Sequence, residues 1–184
     1  MPFNMTIRPV AVALLAAASL ALLFAFTSTD AAQAAGCKGT KSANRAVAAK
    51  AMFCLINRAR TARGLPALRA DYRLRKVAGR HANQMVRMRF FGHNSPRAGG
   101  LVTRVKRSGF APRHRQWWCG ENLGFGTGRL RGASPVFKGW MNSSIHKDAI
   151  LYSHFKRMGV GVYRGTPQGG PSPSALTYVV TFGG

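Results

Sequence analysis

The chain has 184 residues, which argues for one domain, and it carries 28 Lys and Arg against 4 Asp and Glu, a formal net charge of +24. With 46% hydrophobic and 17% charged residues it is not a disordered basic tail, and 21 glycines without a fixed period and 3 cysteines exclude collagen and a disulfide-dense miniprotein. The four acids, Asp30, Asp71, Glu121 and Asp148, are too few for a site built wholly on clustered carboxylates, such as an EF-hand or a two-metal nuclease.

Val10 to Phe26 is an uninterrupted apolar run behind a single cation, Arg8, followed by a polar stretch and by Ala32-Gln33-Ala34. That is the layout of a secretory signal peptide over residues 1–34, with a retained signal anchor as the alternative reading. Its removal takes Arg8 and Asp30 together and leaves the net charge at +24. No second long apolar run follows, so the mature chain is expected to have no transmembrane segment. Export permits a disulfide, and Cys37, Cys54 and Cys119 allow three pairings. Cys37–Cys54 ranks first, because it would staple a flexible N-terminal stretch onto a helix and leave Cys119 as a buried thiol.

From about Ala43 to Arg63 the pattern is helical, with Ala48, Met52, Leu55, Ile56 and Ala59 on one face, and Gly64 ends it at the C′ position. Asp71 caps a second helix in which Leu74, Val77, Ala78, His81, Met85 and Met88 form the apolar face and Arg73, Lys76, Arg80, Asn83 and Arg87 the wet one. A long loop runs from Phe90 to Trp118. Ser134-Pro135 reads as an N-cap followed by proline at the first helical position of a short helix through Met141. Strands are expected over Met158–Arg164, Leu176–Phe182 and Glu121–Phe125. The outline is α+β, an α-β-α sandwich with three to four helices around a small antiparallel sheet.

Glu121 is the only glutamate, so it is either a salt-bridge partner for one of 20 arginines or part of a site. His93 and His146 stand at junctions of helix and loop, where two imidazoles converging on one carboxylate would titrate together. His81 reads as a core histidine, His114 as a solvated loop residue and His154 as a cap or packing group. The spacings of zinc motifs, of G-x-G-x-x-G and of a P-loop are missing, and no nucleophile elbow frames Ser143, Ser144, His146 and Asp148. A Cys119–histidine dyad is conceivable on residue types alone.

Taken together, several segments resemble the CAP superfamily of cysteine-rich secretory, venom-antigen and plant pathogenesis-related proteins, and among these the bacterial SCP-like branch. They are Leu55-Ile56-Asn57-Arg58-Ala59-Arg60, Phe90-Phe91-Gly92-His93-Asn94-Ser95-Pro96, Gly120-Glu121-Asn122-Leu123, Trp140-Met141-Asn142-Ser143-Ser144-Ile145-His146 and Met158-Gly159-Val160-Gly161-Val162. The resemblance covers residues 48–184 as a CAP/SCP-like domain, which leaves an N-terminal extension (35–47) between it and the signal peptide (1–34). It implies an α-β-α sandwich whose cleft is lined by His93, Glu121 and His146, with Asn122 and Ser143 in support. The fourth position, an acid in many eukaryotic relatives, is Ser143 here. It also implies that zinc or another divalent ion would take His93, His146 and Glu121 as ligands, with water completing the shell.

Three functional readings follow. In the first the protein is a secreted, monomeric binding module for a lipid or cell-envelope ligand. In the second it is a hydrolase with Glu121 as general base and His93 or His146 polarising the substrate. In the third its charge attracts an anionic envelope polymer; the arginines are scattered and no RNP or helix-turn-helix pattern occurs, so a specific nucleic-acid site is not expected. Whether the chain is an enzyme stays open between them.

Overall fold

The computed structural model describes residues 36–112 and 116–184. The proposed signal peptide and His114 lie outside the described residues. Five α-helices and four strands are found among those described. Helix α1 (Arg45–Thr61) starts at Asn44, whose Oδ1 accepts from the Ala46 and Val47 amides at 2.9 and 3.2 Å. It stops at Thr61, with Ala62 as the cap, so Gly64 falls one residue beyond the expected C′ position. With φ at 73°, Gly64 makes the left-handed turn that lets the Leu65 amide return to the Arg60 carbonyl. Helix α2 (Tyr72–Arg87) follows the two-residue strand β1 (Arg69–Ala70) and is capped as expected by Asp71, which accepts from the Arg73 and Leu74 amides.

The segment read as a long loop after Phe90 contains a helix, α3 (Leu101–Arg107). Its two turns are too short for a visible period, yet they bury Val105 against Leu74 and Val77. Strand β2 (Cys119–Thr127) leads through a 3-10 turn (Gly128–Leu130) into α4 (Ala133–Met141). That helix begins one residue before the expected cap: Gly132 is the cap, and the Ser134 amide donates to the Thr40 carbonyl instead. Pro135 lies in the first turn, where its missing N–H costs nothing. A further helix not expected from the sequence, α5 (Ser144–Leu151), precedes β3 (Arg157–Arg164) and β4 (Ala175–Gly183).

The sheet order is β1-β3-β4-β2. β4 pairs antiparallel with both neighbours, whereas β1 runs parallel to β3, so the sheet is mixed rather than purely antiparallel. Alternation along β4 serves two cores. Leu176, Tyr178, Val180 and Phe182 pack with α1, α4 and α5, while Val179 packs with Ala78, Ala82 and Met85 of α2. The result is the three-layer α-β-α arrangement. Gly159 and Gly161 let α2 lie directly on β3, because a Cβ at either position would collide with helix backbone at Leu74-Arg75 or Ala78-Gly79.

Two further ties hold the α1 layer. Cys37 and Cys54 form a disulfide (Cα–Cα 5.7 Å) that fastens the segment before α1 to the helix; Cys119 is a free, half-buried thiol. Arg60 is fully buried, and its partners are backbone carbonyls: it donates to those of Pro66, Ile150 and Tyr152 at 3.1, 2.7 and 3.0 Å, and to that of Phe155 at 3.5 Å. Burial lowers its pKa. Among the described residues no helix is long and apolar enough to cross a membrane.

Candidate functional site

Strand β2 lies at the sheet edge, and its consecutive residues Glu121 and Asn122 point to opposite faces. Glu121, opposite Thr181, enters the α2–α3 layer; Asn122, opposite Val180, enters the α4–α5 layer. The site therefore wraps around an edge strand.

On the first face the Glu121 side chain is wholly buried and serves as a hub. Arg104 grips it with two donors, Nη1 to Oε1 at 2.9 Å and Nη2 to Oε2 at 3.1 Å. His93 Nδ1 lies 3.0 Å from Oε2, while 58% of its side chain stays exposed. Arg104 Nη2 also donates to the His93 carbonyl at 2.7 Å, and its Nε to the Gly99 carbonyl at 3.3 Å, so one guanidinium fixes both the carboxylate and the loop carrying the imidazole. Behind Glu121, the fully buried His81 donates from Nε2 to the Gly92 carbonyl at 2.9 Å and sits 3.7 Å from Oε2. A carbonyl can only accept, so His81 Nε2 carries the hydrogen, and the buried Nδ1 has no hydrogen-bond partner. Burial lowers the His81 pKa and outweighs the attraction of Glu121. Burial alone would raise the Glu121 pKa, but hydrogen bonds from His93 and Arg104, with the charges of Arg104 and His81, bring it below the ordinary value.

On the second face Asn122 Nδ2 donates to the His146 carbonyl at 3.0 Å, and Ser143 Oγ lies 2.8 Å from His146 Nδ1. The His146 pKa is lowered by burial and then by the charge of His93. His93 and Glu121 thus meet directly, whereas the His146 imidazole bonds Ser143 on the other face of the strand and is tied to it by Asn122 at its backbone carbonyl, not to Glu121. Exposed apolar groups stand close to both histidines along the chain: Phe91, two residues before His93, stacks edge-to-face on Phe125 at 5.5 Å, and Ile145, 79% exposed, precedes His146. His81 occupies the core stripe as read, but touches the hub as well. His154 stacks on Trp118, as a packing group should.

Sequence reasoning missed Arg104. A lone buried carboxylate demands a cation, yet 20 arginines competed for the role and the helix that aims this one was not visible. Among the described residues no group of three or more His, Cys, Asp or Glu side chains is placed to hold a metal ion. With both Glu121 oxygens taken by Arg104, the residues do not fit the three-ligand set expected for zinc, and no step is derived through a metal.

The profile of the cysteine-rich secretory protein family, CAP, matches residues 53–182. The chain belongs to this family. Among its relatives are two Bacillus subtilis (strain 168) proteins. The uncharacterized protein YkwD is 33% identical over 124 residues, 66% of this chain and 46% of its own length. The uncharacterized membrane protein YlbC is 32% identical over 116 residues, 62% of this chain and 31% of its own. The chain therefore spans less than half the length of these relatives. An extracellular SCP-domain protein from Bacillus anthracis superposes with a TM-score of 0.62 at 27% identity, covering 75% of this chain and 40% of that one. An outer surface protein from Borrelia burgdorferi shares the fold at 22% identity, with a TM-score of 0.59 over 74% of this chain and 91% of its own.

Proposed function

We propose that this CAP protein is an exported binding module whose β2-edge cleft takes an amphiphile, a lipid or lipid-like envelope component with a hydrogen-bonding head. The observation that carries this reading is the bidentate grip of Arg104 on Glu121. A buried carboxylate neutralised in this way, with a lowered pKa, is a poor general base. It is well suited to hold His93 in one orientation for recognition. His93 and His146 supply polar contacts to a head group, and Phe91, Phe125 and Ile145 supply apolar surface to the attached chain. Export is supported by the Cys37–Cys54 disulfide and by the extracellular and surface proteins that share the fold.

The test is a vesicle-to-vesicle transfer assay with a fluorescent phospholipid. Transfer by the purified chain is expected, with a clear loss in Phe91→Ser and His93→Ala variants that keep the native melting temperature. No transfer by the native protein, together with no lipid extractable from it after secretion, would overturn the reading.

A further inference from the structure

The wet face of α2 is not bare surface. With α3 and the turn that follows, it walls a groove of about 470 Å³, into which Arg73, Lys76 and Arg80 project from α2, and Arg104 and Arg107 from α3. Five of its ten lining residues are cationic and none is acidic, whereas cations make up 28 of the 184 residues of the chain. The enrichment therefore exceeds what a basic composition would supply.

Of these five, Arg104 is held tightly by the buried Glu121. Arg73 Nη1 donates to the Gly109 carbonyl at 2.7 Å, and its Nε is 4.0 Å from Asp71, whose Oδ1 is already taken by the start of α2. Lys76 lies over the Tyr72 ring at 5.3 Å. These contacts position the cations without discharging them. Arg73, Lys76 and Arg80 follow one another at helical spacings of three and four, where like charges repel and weaken the helix. An anion in the groove would reverse the sign of that repulsion. Three of the four remaining cations are arginines, whose planar forks match phosphate oxygens in pairs.

We propose that the groove between α2 and α3 binds a linear chain of phosphate groups, a polyphosphate or a non-nucleic phosphodiester strand, at a site that shares Arg104 with the β2-edge cleft but none of the residues proposed to touch the amphiphile there. A concave trough between two helices suits a strand better than a flat membrane. Tyr72 is the only aromatic among its lining residues, so a strand of bases would find one ring and not the row that successive stacking needs.

The experiment is calorimetric titration of the intact protein with inorganic polyphosphate at two salt concentrations. Arg80→Ala with Arg107→Ala removes one cation from each wall of the groove. Arg69→Ala with Arg157→Ala removes the same charge from exposed partners at the β1–β3 edge. The groove pair is expected to weaken binding about tenfold or more and to flatten its salt dependence, while the edge pair changes it far less. Both pairs should melt as the native protein does. Equal losses from the two pairs would reduce the effect to overall charge and overturn the site. A single-stranded oligonucleotide displacing polyphosphate of equal charge would also overturn it. None of these outcomes depends on lipid transfer at the other cleft.

Discussion

Replacing Arg104 with methionine keeps much of the side-chain volume and removes the guanidinium held against a wholly buried carboxylate. Breaking a buried pair from one side costs about 3–5 kcal/mol, because the abandoned charge has neither water nor partner. Against a typical domain stability of about 5–15 kcal/mol, that is a large share. For a chain of this size it corresponds to a fall in melting temperature of about 6–20 °C. In the native protein the Glu121 pKa is lowered, so its stabilising share is present above the ordinary carboxyl range near about 4.3 and is lost as pH falls through the lower folded value. Without Arg104, burial dominates and the folded pKa rises. The variant's deficit is then full at neutral pH and shrinks as acid protonates Glu121. Urea unfolding followed by circular dichroism should show the gap at about pH 7 and its narrowing near about pH 4.5. A second change, Glu121→Gln, should recover part of the loss at neutral pH. A deficit below about 1 kcal/mol at neutral pH, or one that widens on acidification, would refute the reasoning.

Other consequences can be measured in the same way. Gly159→Ala forces a methyl group into the backbone of α2 at Leu74-Arg75 and should cost about 2–3 kcal/mol in urea unfolding, with the helix pushed off β3. Cys37→Ser with Cys54→Ser opens a link spanning 17 residues and should lower stability by about 3 kcal/mol; reduction of the native protein should match it. Because burial lowers the His81 pKa, the unfolded chain binds a proton near about pH 6.5 that the folded one refuses, so stability should decline as pH drops below that value. His81→Gln, which can still donate to the Gly92 carbonyl, should flatten that decline in a series of urea midpoints.

What was legible in the sequence was local. Asp71 announced α2 because a capping carboxylate acts within three residues, and the apolar period of α1 and α2 spans enough turns to be read. Helices α3 and α5, of seven and eight residues, are too short for that, and β1 has only two residues and exists through its parallel pairing with β3. The site divides along the same line. His93, Glu121, His146, Asn122 and Ser143 were singled out with the help of family resemblance; His93 pairs with Glu121 on one face of β2, and His146 with Ser143 and Asn122 on the other. Arg104 acts across 17 positions of chain and Arg60 across 90 and more; Arg60 continues the apolar face of α1 four residues after Ile56, but its distant carbonyl partners could not be read from that.

The central position of β4 bears on how the molecule assembles. It is the last of the four strands along the chain, yet it stands between β3 and β2 and supplies side chains to both cores. A polypeptide emerging from its N-terminus can form helices early, but β2 and β3 have no common neighbour until the final strand arrives. Synthesis must therefore deliver the domain through β4 before cooperative closure, and during that interval two unpaired strand edges need protection from other chains.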